Sequence, residues 1–566
     1  MPKSNKNISR YLVLIVFLLI AFQSLLNTGI LADSTASILI KNHLKKKIEL
    51  ETTRERFRCR GELICGLLQI PLFYQRREFS PAWCSDKGIL PQAESLITEI
   101  KGANNEGLRP DDYHLSSILS LIENIEGQQA LGNTVNPELW ADLDLLLTDA
   151  FMLYASHLFA GRVNPETVHA DWTVSIPTAD LAHILQSALN TNQINKVITD
   201  FRPSDPGYSG LKTYLAHYRN ISKMVHELPL LDGTRLQKGD KGTSVENLHE
   251  RLIILGDLYA DNNDRADIFD ESTEEAVLRY QKRHGLIQDG VVGPRTLEML
   301  NMSLQKRIRQ IELNMERWRW VPRNIGHRYI IVNIADFKLW VTENHRRVLD
   351  MRVVVGRPFR RTPVFSAKMT FMVINPYWNI PQRLAIRDVL PKIQKNSHYI
   401  EQQNIKVFKD WSKNSVEIDP ETIAWNKIEP RNFTYKLRQE PGPRNVLGRM
   451  KFIFPNKFAV YLHDTPKRSL FNKNNRDFSS GCIRVEEPIS LAVYLLQDDP
   501  SWIRERLMKA IENKTPQIVG LKRPITVHLQ YWTAWVDETG KLNFRHDIYD
   551  RDRPLDRALK ERRPED

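Results

Sequence analysis

Hydrophobic residues recur at helical spacing over the first part of the chain, which predicts a mostly helical domain over residues 33–230. Between residues 139 and 158, Leu143, Leu147 and Ala150 fall on one stripe of a helix. The histidines here are scattered without metal-ligand spacing: His114, His157 and His169. We expect satisfied structural histidines and a scaffold role for this domain.

A compact helical pattern follows over residues 231–303. Val245, Leu248 and Leu252 share one helical face, Ser272-Thr-Glu-Glu275 has the form of a capping box, and Gly293-Pro294 opens a further helix with proline in its first turn. The pattern predicts three short helices in a small module.

The period changes from helix to strand at residue 328, so residues 328–510 are predicted to form a mainly β domain. Residues 376–442 interrupt it, and an insertion of that size is usually functional, for example a lid over a site. Residues 511–566 are predicted to supply a short strand region and a solvated, charged tail. The chain is thus expected to be a multidomain α+β protein.

An uncharged run at the N-terminus follows Lys3, Lys6 and Arg10. Residues 11–22 have the length of a signal peptide core, and residues 11–32 reach the roughly 20 residues needed to span a bilayer. Residues 1–32 are therefore a cleaved signal peptide or an uncleaved signal-anchor, and both readings predict export.

Composition and charge narrow the class of protein. With 42% hydrophobic and 26% charged residues, the chain is neither disordered nor a multi-span membrane protein. Its net charge of +12 favours polyanionic partners. An anionic cell-wall polymer suits an exported protein, whereas nucleic acid has only the charge in its favour, and we expect no nucleic-acid partner.

The four cysteines fall into two contexts. Cys59, Cys65 and Cys84 lie close together, and export makes a disulfide among them possible, with the pairing left open. Cys482 stands alone, and an isolated thiol in an oxidising compartment favours a catalytic role.

Cys482 ends the turn-prone stretch Ser479-Ser480-Gly481, and His463 precedes it by 19 residues. A thiol becomes a nucleophile when a neighbouring imidazole takes its proton. Small residues before the thiol let a carbonyl approach, and the N–H groups of Gly481 and Cys482 can face an oxyanion. Most Cys and His pairs are structural, but this turn in this compartment favours cysteine catalysis, which requires no metal and no cofactor.

Two segments resemble known families. The module, with Lys238-Gly-Asp-Lys-Gly242 and Asp289-Gly-Val-Val-Gly293, resembles the three-helix peptidoglycan-binding domain. Residues 328–500 resemble a YkuD-type L,D-transpeptidase catalytic domain, whose signature reads here as His463 followed by Ser479-Ser480-Gly481-Cys482-Ile483-Arg484. The whole layout is similar to the large YcbB-type enzymes of Gram-negative bacteria.

The resemblance implies roles for the residues that match the signature. Cys482 would be the nucleophile and His463 the general base and later the acid. Ser480 stands where many members carry a second histidine, so His463 alone would act as the general base. Gly481, Ser479 and Ser480 would support the oxyanion, and Asp464 would orient His463. Arg484 would bind a stem carboxylate, and Tyr461 and Trp378 would line the cleft. Whether Asp464 acts through its carboxylate or its backbone stays open, and for Arg484 a structural ion pair is the alternative.

The resemblance also implies a reaction and its partners. Cys482 would release D-alanine from a tetrapeptide stem and pass the acyl group to another diaminopimelate, forming a 3→3 cross-link in cell wall biogenesis. Donor and acceptor stems would be its partners, with a D,D-carboxypeptidase and other cell-wall synthases. Its expected place is the periplasm, anchored in the inner membrane by residues 11–32, and carbapenems are expected to acylate it.

Two rival functions remain at this stage. Water as acceptor would make the protein a thiol L,D-carboxypeptidase or endopeptidase, and a non-catalytic wall-binding protein is the alternative from another class. A penicillin-binding serine enzyme is disfavoured, because Ser303-Leu-Gln-Lys306 lacks the accompanying Ser-Asp-Asn and Lys-Thr-Gly motifs.

Overall fold

The computed structural model describes residues 35–51, 57–85, 87–174, 177–225, 231–233, 235–259 and 267–561. The expected signal or anchor, residues 1–32, lies outside them. The described residues form two compact units: those within 35–104, 109–157 and 179–201, and those within 105–108, 158–178 and 202–561. The division falls near residue 201 and not at 230, because helix Pro206–Met224 packs within the second unit.

The first unit is helical, as predicted. Its longer helices are Thr35–Glu51, Gln69–Arg76, Pro91–Lys101, Leu115–Ala130, Pro137–Ala160, Leu181–Asn190 and Ile194–Asp200. Short strands pair as Arg58–Cys59 with Glu62–Leu63, and Cys84–Ser85 with Gly88–Ile89. Pro137–Ala160 is the one helix among the described residues with the length and hydropathy to cross a membrane, and 78% of its most apolar window is buried in the protein.

The histidines of the N-terminal half have structural positions. The buried imidazole of His114 lies between Glu62 and Asp149, and the Tyr113 hydroxyl lies 3.1 Å from His157 Nδ1. His169, in the second unit, is buried and stacks on Trp172, but its Nε2 has no hydrogen-bond partner among the described residues. The prediction that all three would be satisfied is therefore wrong for His169.

The small module of the second unit has the three predicted helices, Thr243–Ile254, Glu271–Arg283 and Pro294–Leu300. Their apolar faces form one buried cluster that includes Val245, Leu248 and Leu252. The second helix starts two residues earlier than the predicted capping box, because the Asp270 side chain accepts the Thr273 N–H and is the N-cap.

A buried helix, Leu304–Arg319, connects this module to the β domain. Ser303 is its N-cap, which gives the Ser-x-x-Lys sequence a structural role. The hydrophobic pattern does not predict this helix, because charged side chains such as Arg317 and Arg319 lie on its buried face.

The β domain is built on a nine-stranded sheet. In chain order its strands are β1 (Arg328–Asn333), β2 (Lys338–Glu343), β3 (Arg346–Gly356), β4 (Phe365–Ile374), β5 (Met450–Ile453), β6 (Leu462–His463), β7 (Asp477–Ser479), β8 (Ile483–Val485) and β9 (Gln517–Gln530). The order across the sheet is β7-β3-β8-β6-β5-β4-β9-β1-β2, and β2 also pairs with β3. This last pairing closes the sheet into a barrel around a large apolar core.

The interruption at residues 376–442 is a small subdomain with its own core. Its sheet contains Trp378–Ile380, Ile405–Phe408, Glu417–Ile418 and Lys436–Gln439. Its helical segments are Gln382–Leu384, the π-helical turn Ala385–Val389, Leu390–Lys395 and Tyr399–Gln402, with 3₁₀ turns at Pro420–Thr422, Trp425–Lys427 and Pro430–Asn432.

The C-terminal region differs most from expectation. Helices Pro488–Leu496 and Arg504–Glu512 precede β9, and a hairpin of Ala534–Val536 and Leu542–Phe544 follows it. The predicted solvated tail is instead a helix, Asp552–Lys560, whose Leu555 and Leu559 enter the barrel core. The prediction is wrong because leucines four residues apart share one helical face, which the high charge density obscured.

Candidate active site

Cys482 lies at the start of β8, in a tight turn that Ser479 holds from both ends. Ser479 Oγ donates to the Cys482 carbonyl at 2.6 Å and accepts the Gly481 N–H at 3.1 Å. Gly481 has a φ of +116°, which favours glycine. The Gly481 N–H is therefore already bonded and does not point to an oxyanion, contrary to prediction. The Cys482 N–H has no acceptor among the described residues, and its role as an oxyanion donor stays a prediction.

His463 lies on β6, the strand next to β8, and faces the same side as Arg484, its register partner. Its Nδ1 lies 2.6 Å from the Asp464 carbonyl oxygen. Because a carbonyl can only accept, Nδ1 carries the proton and Nε2 is left with a lone pair. The backbone of Asp464 therefore orients the imidazole, while its carboxylate accepts the Arg449 N–H at 2.9 Å.

Burial keeps the imidazole and the thiol uncharged at rest. It lowers the pKa of His463 to about 3, helped by the positive charges of Arg484 and Lys451. Burial also raises the pKa of the Cys482 thiol, against the opposing effects of Tyr461, Lys451 and Arg484. The resting site is therefore a neutral thiol beside a neutral imidazole.

Tyr461 immediately precedes β6 and lies beside the strand of the thiol, since its carbonyl accepts the Ile483 N–H at 3.1 Å; its place in the cleft stays a prediction. Its main chain and its side chain both act to lower the pKa of the Cys482 thiol. Its ring centroid lies 5.7 Å from that of His463 and 3.9 Å from Lys451 Nζ. Its ring thus lies between the imidazole and a cation.

Two cations flank the imidazole across neighbouring strands. Lys451 is the register partner of His463 on β5, and Arg484 is its partner on β8. Arg484 has no carboxylate partner among the described residues, and its buried Nε has no hydrogen-bond acceptor there. This arrangement removes the structural ion pair that was the alternative role for Arg484. It leaves a guanidinium free to bind an anion.

The loop between β3 and β4 supports the nucleophile turn. Thr362 Oγ1 donates to the Gly481 carbonyl at 2.9 Å and accepts the Gly356 N–H, also at 2.9 Å. The Tyr549 hydroxyl accepts the Thr362 N–H at 3.2 Å. Arg360 Nη1 donates to Ser480 Oγ at 2.7 Å, so Ser480 contacts a positioning group and not the imidazole.

The structure adds residues to those expected from the sequence. Trp378 packs on the core of the inserted subdomain, and its place in the cleft stays a prediction. Lys451 was missed although β5 signals it: buried Met450 and Phe452 alternate with it, which turns Lys451 to the opposite face. No comparable local signal marks Tyr549, which is 67 residues from Cys482.

The other cysteines have no part in this site. Cys59 and Cys84 are buried residues of the first unit, and Cys65 is exposed there. In the described ranges, no group of three or more His, Cys, Asp or Glu side chains could hold a metal ion.

Comparison with known families identifies three segments. Residues 327–506 match the YkuD L,D-transpeptidase catalytic domain, residues 241–300 a peptidoglycan binding domain and residues 69–215 a scaffold domain. The catalytic match contains both His463 and Cys482.

Individual relatives agree with this assignment over part of their length. A Haemophilus influenzae protein named as a candidate L,D-transpeptidase is 37% identical over 249 residues, 44% of this chain and 49% of that protein. The N-acetylmuramoyl-L-alanine amidase CwlM of Mycobacterium tuberculosis is 33% identical over 76 residues, 12% of this chain and 19% of that protein. The chain thus spans about half or less of these relatives.

A solved L,D-transpeptidase of Stackebrandtia nassauensis has 16% sequence identity and a TM-score of 0.21, covering 53% of this chain and 96% of that structure. A TM-score this low adds nothing to the family matches. Those matches, together with the sheet that places His463 beside Cys482, show that the chain is a multidomain protein with a scaffold domain, a peptidoglycan-binding domain and a YkuD L,D-transpeptidase catalytic domain.

Proposed function

We propose that this protein forms 3→3 cross-links in peptidoglycan through an acyl-enzyme on Cys482. The observation that carries the proposal is the pairing of β6 with β8, which sets His463, with its Nε2 lone pair free, beside the strand that begins at the nucleophile turn. The YkuD and peptidoglycan-binding matches support the substrate class.

In the first half-reaction, Cys482 Sγ attacks the carbonyl at the L-centre of diaminopimelate in a tetrapeptide stem. The thiol proton passes to His463 Nε2 and then to the amine of the departing D-alanine as the amide bond breaks. A thioester remains on Cys482. It conserves the reactivity of the broken amide, so no ATP is needed.

Charges around the thiol explain how a neutral pair can become reactive. Arg484 lowers the pKa of His463, so a substrate carboxylate bound to Arg484 would offset that charge and make the imidazole a stronger base. Lys451 and Tyr461 would meanwhile stabilise the developing thiolate. The Cys482 N–H would donate to the tetrahedral oxyanion.

In the second half-reaction, the side-chain amine of another diaminopimelate attacks the thioester and Cys482 takes back a proton. Water competes with this amine, so the acyl-enzyme must be shielded. The inserted subdomain is suited to act as a lid, since its Asp388 is joined to the nucleophile turn through Arg360.

The same proposal covers location and partners. Export through residues 1–32 would place the enzyme in the periplasm, held in the inner membrane if that segment is not cleaved. A D,D-carboxypeptidase would supply tetrapeptide stems by trimming pentapeptides, and other cell-wall synthases would build the strands to be joined.

Mass spectrometry of the enzyme with disaccharide-tetrapeptide tests the proposal, with Cys482→Ala as the control. A dimer lacking one D-alanine, absent from the control, is the expected product. Tripeptide without dimer would indicate a carboxypeptidase. If neither product forms although the protein still binds the disaccharide-tetrapeptide, the result would favour a non-catalytic wall-binding protein.

A further inference from the structure

A cavity of about 850 Å³ lies where the peptidoglycan-binding module meets the barrel, apart from the site at Cys482. Its walls come from the end of the module's second helix, the third helix, strands β2 and β3, the C-terminal hairpin and residues 471–476. The volume falls within the roughly 300–1,000 Å³ that is usual for small-molecule ligand sites.

The cavity wall is strongly cationic. Eight lysine and arginine side chains line it against four carboxylates. Three of those carboxylates are already engaged: Asp336 with Arg545, Glu538 with Arg347, and Asp537 with its own turn. The field inside the cavity is therefore positive.

Four of the lining cations have no carboxylate partner among the described residues: Lys282, Arg295, Lys473 and Arg476. The first three are exposed. Arg476 is only 8% exposed and bonds backbone carbonyls alone, including Lys473 O at 2.8 Å. Burial lowers its pKa to about 10, so it stays cationic at neutral pH without a counter-ion.

Several guanidinium groups are held in place by aromatic rings before any ligand arrives. Arg347 lies 4.4 Å from the Trp340 ring centroid, and Arg545 lies 4.7 Å from that of Trp535. Both groups are already paired with carboxylates, so they give the cavity a rigid wall, and the charge left for a ligand comes from the four cations that lack a carboxylate partner among the described residues.

Two backbone carbonyl groups at the end of the module's second helix would repel an anion, but both already accept hydrogen bonds. Arg545 Nη1 donates to Arg283 O at 2.9 Å, and Asn474 Nδ2 donates to Gly285 O at 2.8 Å. The same two bonds join the module to the barrel. The cavity therefore has a defined wall on both sides.

We propose that this cavity is a second binding site, for a carboxylate-bearing muropeptide segment of the peptidoglycan strand on which Cys482 acts. The proposal rests on the proposed function for its choice of polymer. Arg476 is six residues from Cys482, and six extended residues span at most about 20 Å. A polymer held in the cavity can thus reach the nucleophile, which raises the local concentration of stems there.

Calorimetry on full-length Cys482→Ala protein with disaccharide-tetrapeptide tests the binding. Replacing Lys282, Arg295 and Lys473 by glutamate is expected to remove one binding event or weaken it at least tenfold. A matched reversal of Lys101, Lys196 and Lys514, which are exposed and do not line the cavity, changes the net charge equally and is expected to leave binding within twofold. Equal effects from both triple variants would overturn the proposal.

A photo-reactive residue locates the ligand independently of charge reversal. Benzoylphenylalanine in place of Ile287, a cavity residue that is 66% exposed, is expected to cross-link the muropeptide. The same substitution at Ile518, which is 73% exposed and outside the cavity, is the control. Equal adducts at both positions, or none at Ile287, would contradict the site. Because both measurements use inactive protein, they stand apart from any failure to form cross-links.

Discussion

Arg360 forms a paired contact with Asp388, its Nη1 and Nη2 donating to the two carboxylate oxygens at 2.7 and 2.8 Å. Nη1 also donates to Ser480 Oγ, two residues before Cys482. Arg360 holds the pKa of Asp388 below its usual range, so the pair stays ionised at neutral pH. The inserted subdomain and the nucleophile turn therefore share one guanidinium.

We expect Asp388→Asn to increase hydrolysis of the acyl-enzyme at the expense of transfer. Losing the paired contact would loosen the subdomain and admit water, while Cys482 and His463 keep their own contacts. The ratio of tripeptide to cross-linked dimer, measured by mass spectrometry, should rise several-fold. Glu429→Gln, in the exposed Glu429–Arg431 pair of the same subdomain, is the matched control and should leave the ratio unchanged. An unchanged ratio in Asp388→Asn would argue against a lid.

His463 and Asp464 should respond very differently to substitution. Asp464→Asn keeps the backbone carbonyl that orients the imidazole, so acylation should fall by less than about tenfold. His463→Ala removes the base and should lower acylation by about 10²–10⁴-fold. Single-turnover release of D-alanine measures both. A loss in Asp464→Asn as large as in His463→Ala would show that the carboxylate is needed.

The rate of acylation should not show the fall below pH 6.5 that an ordinary histidine base would cause. The base must be unprotonated, and a His463 pKa of about 3 leaves it so well below pH 6.5. The second-order rate constant for acylation, which reports the ionisation of the free enzyme, should therefore not fall between pH 7 and 5. A half-loss near pH 6.5, in rates measured by stopped flow, would contradict the neutral resting pair.

Folding stability should fall with acid over the same range. His463, His169 and His528 have folded pKa values of about 3, 3 and 4, below the ordinary 6.5. Protonation then favours the unfolded chain. The free energy of unfolding therefore has its full value above pH 6.5, and each buried histidine lowers it by about 1.4 kcal/mol per pH unit below pH 6.5. Urea unfolding between pH 7 and 5 measures the slope, and His463→Asn should make it shallower. An unaltered slope in that variant would mean that burial does not keep the His463 imidazole uncharged in the folded protein.

Carbapenems should acylate Cys482, because a thiolate there can open a strained lactam. Intact-mass spectrometry should show one adduct on the wild-type protein and none on Cys482→Ala. Ser479→Ala, which removes both turn contacts, should slow the adduct about ten- to hundredfold, from the roughly 1–3 kcal/mol of unsatisfied groups. Ser480→Ala, the matched control in the same turn, loses only the Arg360 contact and should have a smaller effect. An adduct that survives in Cys482→Ala would refute this site of acylation.

Local signals explain how much of the fold and site could be predicted. The nucleophile turn and the module helices are encoded by short stretches of sequence, so their positions were predicted closely. The central helix Leu304–Arg319 was missed because its buried face carries paired charges such as Glu316–Arg319, which resemble a solvated surface. Arg360, Thr362 and Tyr549 depend on contacts distant in sequence, which no spacing rule reveals.

The long strand β9 has a consequence for how the chain folds. It lies between β4 and β1, and the barrel core also needs Leu555 and Leu559 from the helix beyond it. During synthesis from the N-terminus, β1 therefore remains without one neighbour until about 190 more residues have been made. Contacts of such long sequence separation form slowly. Cys482 is consequently made before the segments that complete the barrel around it, and its supporting sheet cannot close over that interval.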